Sequence, residues 1–167
     1  MDSKKILETK WFSLNTVRYQ SSDEEPYYYI SSPDSVEILV ITEKEEIIFV
    51  KQFRPAIGIS MLELPAGYID PGEKPDDAVK RELTEETGYI CNKIDYLGSF
   101  KNFPSRSNNT LNLFFGCNSV ASLDDSNSDH EVVLLSQRDF ISMINKGEFF
   151  SISGIAAYYL CVMKGLL

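Results

Sequence analysis

One helix-sized stretch, Gly67 to Tyr89 (GYIDPGEKPDDAVKRELTEETGY), concentrates the residues that could do chemistry. Glutamate is a good helix former, so acidity alone says little. The spacing says more. Glu82 and Glu86 lie one turn apart on a common helix face, with Glu85 at i+3 from Glu82. Carboxylates held that close repel one another, and a hard divalent cation turns the repulsion into a binding site. Taken alone, such a pair is most often a solvated acidic face. The surroundings make it more than that.

Ahead of the helix, a strand ends at Leu64 and Pro65–Ala66–Gly67 makes a turn. A loop folding back over the helix would bring the Ala66 carbonyl to the carboxylates. Oxygens of Ala66, Glu82 and Glu86 supply part of an octahedral Mg²⁺ shell, leaving positions for water and for diphosphate oxygens. Such a site neutralises charge as a P–O bond breaks and activates the attacking water. Arg81 adjoins Glu82, but sequence neighbours do not share a helix face. Its guanidinium is expected to brace Glu73 or another carboxylate through a forked contact.

The elements that must position these groups follow from pattern. Trp11–Tyr19 and Tyr27–Ser31 read as strands around the turn Ser21–Pro26. Val36–Thr42 and Ile47–Phe53 read as a hairpin, rich in β-branched residues. Arg54–Ser60 is a loop, Met61–Leu64 a short strand, and Pro71–Gly72 a turn. The helix starts near Pro75–Asp76, buries Ala78, Val79, Leu83 and Tyr89, and stops at Gly88. Ile94–Phe100 and Leu111–Val120 are strands flanking the loop Phe103–Thr110, with Gly116 placed for a bulge or a close approach. Asp124–Asp129 is a polar loop, Glu131–Leu135 a strand edge, and Gln137–Asn145 a short helix ended by Gly147. Ser153–Met163 is a last helix capped by Ser151 or Ser153. The predicted class is an α/β sandwich around a mixed sheet.

Composition bounds the partners. The 167 residues carry 16 Lys+Arg against 25 Asp+Glu, a net charge of −9, and 43% are hydrophobic. That suits one globular domain and argues against a nucleic-acid backbone as partner. It does not exclude a phosphate substrate, because a metal bridges acids and phosphates. Cys91, Cys117 and Cys161 have no paired spacing and read as buried thiols of a reducing compartment. The opening MDSKKILETK has no apolar leader, and the apolar stretch Ile155–Met163 is too short to span a membrane, so a cytoplasmic location is expected.

The run Gly67, Glu73, Arg81–Glu82–Leu83, Glu85–Glu86 and Gly88–Tyr89, at gaps of five, seven, one and one residues, resembles the Nudix box. Its one soft departure is Tyr89, where the family more often has an aliphatic residue. The resemblance implies a Nudix-type α/β/α sandwich over 36–167, preceded by an antiparallel strand region, 1–35. It also implies hydrolysis of a nucleoside diphosphate derivative with Mg²⁺ or Mn²⁺. On this pattern Glu82, Glu85, Glu86 and the Ala66 carbonyl are the metal ligands, Arg81 with Glu73 steadies loop and helix, and Gly67 and Gly88 fit tight turns.

The flanks are similar to the ADP-ribose pyrophosphatase branch. KQFRPAIGISMLELPAG supplies Arg54 near the substrate phosphates or sugar and Glu63 at the substrate site, and Pro104 lies sixteen residues after Gly88. Relatives of this branch place a glutamate in the loop after Pro104. Here that loop, Phe103–Thr110, contains no acid, and asparagine cannot act as a base. Glu85 is then the nearest base, with Glu131 or an acid of Asp124–Asp129 as alternatives, and Arg106 offers positive charge to a phosphate. The expected reaction converts an ADP-ribose-like substrate to a nucleoside monophosphate and a sugar phosphate. The alternatives are another nucleoside diphosphate derivative, such as a dinucleotide or GDP-sugar, and a nucleotide-binding module without turnover. The aromatics Trp11, Phe12, Tyr19 and Tyr27–Tyr29 suit a homodimer interface or a base stack, and His130 a surface or capping role.

Overall fold

The structure is a computed structural model describing residues 3–18, 25–121 and 130–167. Residues 21–24 of the expected turn Ser21–Pro26, Tyr19 and the loop Asp124–Asp129 lie outside the described residues. In chain order the elements are β1 (Ser3–Glu8), β2 (Ser13–Val17), β3 (Tyr27–Ser31), β4 (Ser35–Thr42), β5 (Glu46–Arg54), β6 (Ile59–Glu63) and β7 (Ala66–Tyr68). Helix α1 (Pro75–Thr87) follows, then β8 (Tyr89–Phe100), β9 (Leu111–Ala121), β10 (Glu131–Ser136), α2 (Gln137–Lys146) and α3 (Ile152–Met163).

The centre is a mixed sheet in the order β10-β5-β4-β9-β8, in which β4 and β9 run parallel and the other neighbours antiparallel. Strand alternation sorts its side chains onto two faces. Val36, Ile38 and Val40 of β4 join Phe114 of β9 against Ala78, Val79 and Leu83 of α1. Leu39 and Ile41 join Leu113, Phe115 and Phe49 against Phe140 of α2 and Ala157, Tyr158 and Cys161 of α3. Both faces are covered, which is why β4 is apolar almost throughout. This is the expected sandwich.

The sheet splits where it matters. β4 and β5 pair at Ile41↔Ile47, then diverge. In the wedge, β6 pairs with the far half of β5 and β7 with Ser35–Glu37 of β4. The segment Pro65–Gly67, expected only to break a strand, therefore contributes a short strand of its own. The loop expected over Arg54–Ser60 is shorter, because β6 already begins at Ile59.

Three boundaries differ for physical reasons. β1 is a charged strand, SKKILE, exposed throughout and held by backbone pairing to β2, so no hydrophobic alternation announces it. β2 begins only at Ser13, because Thr9 Oγ1 accepts from the Trp11 and Phe12 amides and curls them into a turn. β8 starts at Tyr89, well before Ile94, because Gly88 (φ 70°) turns the chain straight out of α1 into the sheet. β1, β2 and β3 form a separate three-stranded sheet. Gly116 does mark a close approach: a Cβ there would lie 2.7 Å from Cys91 Sγ. Cys161 is buried as expected, while Cys91 and Cys117 are half-buried.

Candidate active site

Helix α1 holds the carboxylates in place through its apolar side. Leu83 and Val79 are fully buried, each worth about 1.5–3 kcal/mol. Their packing turns Glu82 and Glu86 toward the β6–β7 wedge. Glu86 Oε2 accepts from the Ala66 amide at 2.9 Å, and Oε1 accepts from Gln52 Nε2 at 3.0 Å. His130 Nε2 stands 3.5 Å from Oε1. Burial pushes the Glu86 carboxyl upward, and the Ala66 amide opposes the shift. Burial likewise raises Glu82, against the pull of Arg81. Gly67 lies directly over Glu82: a Cβ there would sit 2.0 Å from its carboxyl carbon. Only glycine leaves the carboxylate its room.

Arg81 ties loop to helix. Its Nε and Nη2 donate to Glu73 Oε1 and Oε2, both at 2.9 Å, and Nη2 also reaches the Tyr68 carbonyl at 3.0 Å. That forked contact holds Glu73 down at about 2. Its Nη1 also donates to Glu82 Oε1 at 2.7 Å and to Glu85 Oε2 at 3.2 Å. The face argument separating Arg81 from Glu82 is thus corrected. The Cβ positions diverge, but a long guanidinium bends back to its neighbour. Glu85 keeps an exposed side chain.

A cleft of about 430 Å³ opens beside these groups. Glu86, Ala66 and Gly67 line one part, Arg54 and Glu63 another. Arg54 Nη2 and Nε donate to Glu63 Oε2 at 2.5 and 2.9 Å. Arg81, Glu82 and Glu85 are outside the lining. Pro104 and Arg106 are outside it too. The Arg106 guanidinium stacks 4.8 Å from the Tyr27 ring centre, and Tyr27 OH donates to the Ser105 carbonyl. Asn102 and Asn109 line the cleft from the same connection instead. Sequence reasoning missed Gln52, Glu37 and the packing of His130 against Glu86. Glu37 left one signal, a lone acid in the apolar run VEILVIT.

Whether a divalent cation suits the site can be judged from the donors. Among the described residues, no three His, Cys, Asp or Glu side chains already converge in ligating positions. The donors are nonetheless right in kind. Glu82 and Glu86 are largely buried carboxylates whose charge burial disfavours, and the glycine at position 67 leaves room over Glu82. Hard oxygens in that state fit Mg²⁺ or Mn²⁺.

The NUDIX domain family matches residues 31–146, more than half of the chain. The chain belongs to the Nudix family. A methanol dehydrogenase activator of Bacillus methanolicus is 32% identical over 120 residues, 68% of this chain and 65% of that protein. An ADP-ribose pyrophosphatase of Bacillus subtilis is 35% identical over 85 residues, 51% of this chain and 46% of that one. The match thus spans about half to two thirds of these relatives' length. The crystal structure of an ADP compounds hydrolase superposes with a TM-score of 0.79 at 22% identity, covering 99% of this chain and 92% of that one. At that identity it shows the Nudix fold.

Proposed function

We propose that this Nudix protein hydrolyses the diphosphate of an ADP-ribose-like nucleoside diphosphate sugar, giving a nucleoside monophosphate and a sugar phosphate. One observation carries the reading: a single cleft touches both the box carboxylate Glu86 and the Arg54–Glu63 pair. The names of the pyrophosphatase relatives support it.

Glu82, Glu85, Glu86 and the Ala66 carbonyl would hold Mg²⁺ or Mn²⁺, which supplies charge neutralisation and an activated water when bound. The chain's own groups do the rest. Gly67 keeps Glu82 accessible, and Arg81 locks the loop that carries Tyr68 and Glu73 onto α1. Arg54, leaving Glu63, takes a non-bridging phosphate oxygen through its fork. Glu85 is the proposed base for the attacking water, whose oxygen bonds to one phosphorus as the bridging P–O bond breaks. Pro104 and Arg106 serve by presenting Asn102 and Asn109, with amides for sugar hydroxyls. The protein works as a homodimer in a reducing, cytoplasmic setting. Three free thiols support the compartment, and no helix among the described residues is long and apolar enough to cross a membrane.

The test is product analysis with ADP-ribose, ADP-glucose, GDP-mannose, NADH and diadenosine polyphosphates, each with Mg²⁺ or Mn²⁺. ADP-ribose is expected to give AMP and ribose 5-phosphate. No turnover of any of them overturns the reading.

A further inference from the structure

Glu37 is an anomaly in the centre of the sheet. It lies in β4 between Leu113 of β9 and Ala66 of β7, its register partners on either side. It is 6% exposed, yet its Oε1 has no hydrogen-bond partner. A buried acceptor left unsatisfied costs stability, and native folds rarely keep one without use. Alternation places its side chain on the α3 face, opposite Val36 and Ile38, which pack on α1. There Ser153, in the first turn of α3, and Glu63 approach the carboxyl, the hydroxyl favouring its charged form and the Glu63 charge opposing it. Glu37, Glu63 and Ser153 all line the cleft that also reaches Glu86.

We infer that Glu37 is the specificity residue of this cleft: its unpartnered oxygen accepts a hydrogen bond from an O–H or N–H donor on the part of the substrate beyond the diphosphate. The inference rests on the proposed nucleoside diphosphate sugar reading. The backbone supplies the geometry. Ala66 donates to Glu86 on the α1 side, and its neighbour across the ladder, Glu37, faces the α3 side. A ligand with its phosphates near Glu86 therefore extends its remaining portion past Ala66 toward Glu37. The acceptor is already desolvated, so on forming the bond only the ligand's donor gives up hydration. A ligand without one leaves the oxygen as unpaired as before, so selection is sharp. The donor is either a sugar hydroxyl or an exocyclic nucleobase amine, and both present the same chemistry.

The experiment is a cycle between protein and ligand. Glu37→Val removes the acceptor and keeps a strand-forming apolar side chain, and Glu37→Gln keeps an acceptor oxygen. Each is assayed with ADP-ribose, with the inosine analogue lacking the exocyclic amine, and with analogues lacking single ribose hydroxyls. In the wild type, removal of the correct donor is expected to lower kcat/KM by about 10- to 100-fold. In Glu37→Val the same removal changes nothing, while the melting temperature is equal or higher and Glu37→Gln retains part of the discrimination. Which analogue loses its penalty tells the amine from the hydroxyls. Identical analogue ratios in the active wild type and Glu37→Val overturn the inference while leaving the hydrolase reading intact. If the wild type turns over no nucleotide sugar, that reading fails instead. Metal-free calorimetry with AMP and ribose 5-phosphate then decides on Glu37, and unchanged binding of both to Glu37→Val overturns it.

Discussion

Burial treats the three box glutamates unequally, and their substitutions should differ accordingly. The side chains of Glu82 and Glu86 are 13% and 11% exposed, that of Glu85 60%. Glu82→Gln and Glu86→Gln are each expected to lower kcat by about 10²–10³-fold and to raise the metal concentration needed for half-activity. A metal titration of the rate checks both, and an unchanged rate and titration would remove them from the metal site. The pair was legible in sequence because i and i+4 acids share a face. Glu37 was not, because one acid in a strand has no periodic partner to betray it. Its burial yields a separate expectation. Its carboxyl is raised from 4.5 to about 7, chiefly by desolvation. An acid raised on folding binds its proton more tightly in the native state. Its stabilisation is therefore complete below pH 4.5 and is lost as pH rises toward 7, on the order of 3 kcal/mol in all. Urea unfolding of wild type and Glu37→Gln across that range measures it. The wild type should lose stability relative to Glu37→Gln, which stays neutral throughout, as pH rises toward 7, and parallel curves would refute the assignment.

At the scale of elements, the site depends on β7 lying flat over α1. Gly67→Ala places a Cβ on the Glu82 carboxyl, so strand or helix must move. The expected outcome is a stability loss of about 1–3 kcal/mol together with a fall in activity of at least about tenfold. Thermal melts and kcat measured on one preparation test it, and a variant normal in both respects would show that the wedge adapts. The helix itself was legible to within a residue at its N-terminus, since Pro75, the acids Asp76 and Asp77, and Gly88 are local signals. The wedge was not. β6 and β7 exist because β4 and β5 diverge, and that divergence belongs to the sheet, not to Ile59–Tyr68. The same holds for Arg106. In sequence it stands near the site, but Tyr27 of the other sheet supplies the ring that takes its guanidinium.

At the scale of the whole molecule, the sandwich was read from the order of strands and helices, and from the box that fixes the strand–loop–helix centre. Residues 1–35, proposed as a dimerisation and base-pocket element, present Trp11, Tyr28 and Ile30 at 58%, 45% and 39% exposure. Apolar surface of that kind is expected to be covered by a second copy. Sedimentation at micromolar concentration should give twice the 19.0 kDa chain mass. A monomer under those conditions would refute the dimer. The parallel pairing at the centre also sets a clock. β4 meets β9 at Ser35↔Leu111 and β5 meets β10 at Lys51↔Glu131, separations of 111 − 35 = 76 and 131 − 51 = 80 residues. Contacts so distant in sequence close late and slowly, because the loop entropy must be overcome before they form. The helix that bears the glutamates is local and can form early. Val79→Ala in α1 is therefore expected to slow refolding more than Leu113→Ala in β9, whose main effect is faster unfolding, in stopped-flow experiments at matched stability, and the opposite order would contradict it. A chain emerging from the ribosome thus carries its acidic helix long before it has a cleft, and it gains the last lining side chains, Ser151 and Ser153, only when α3 arrives.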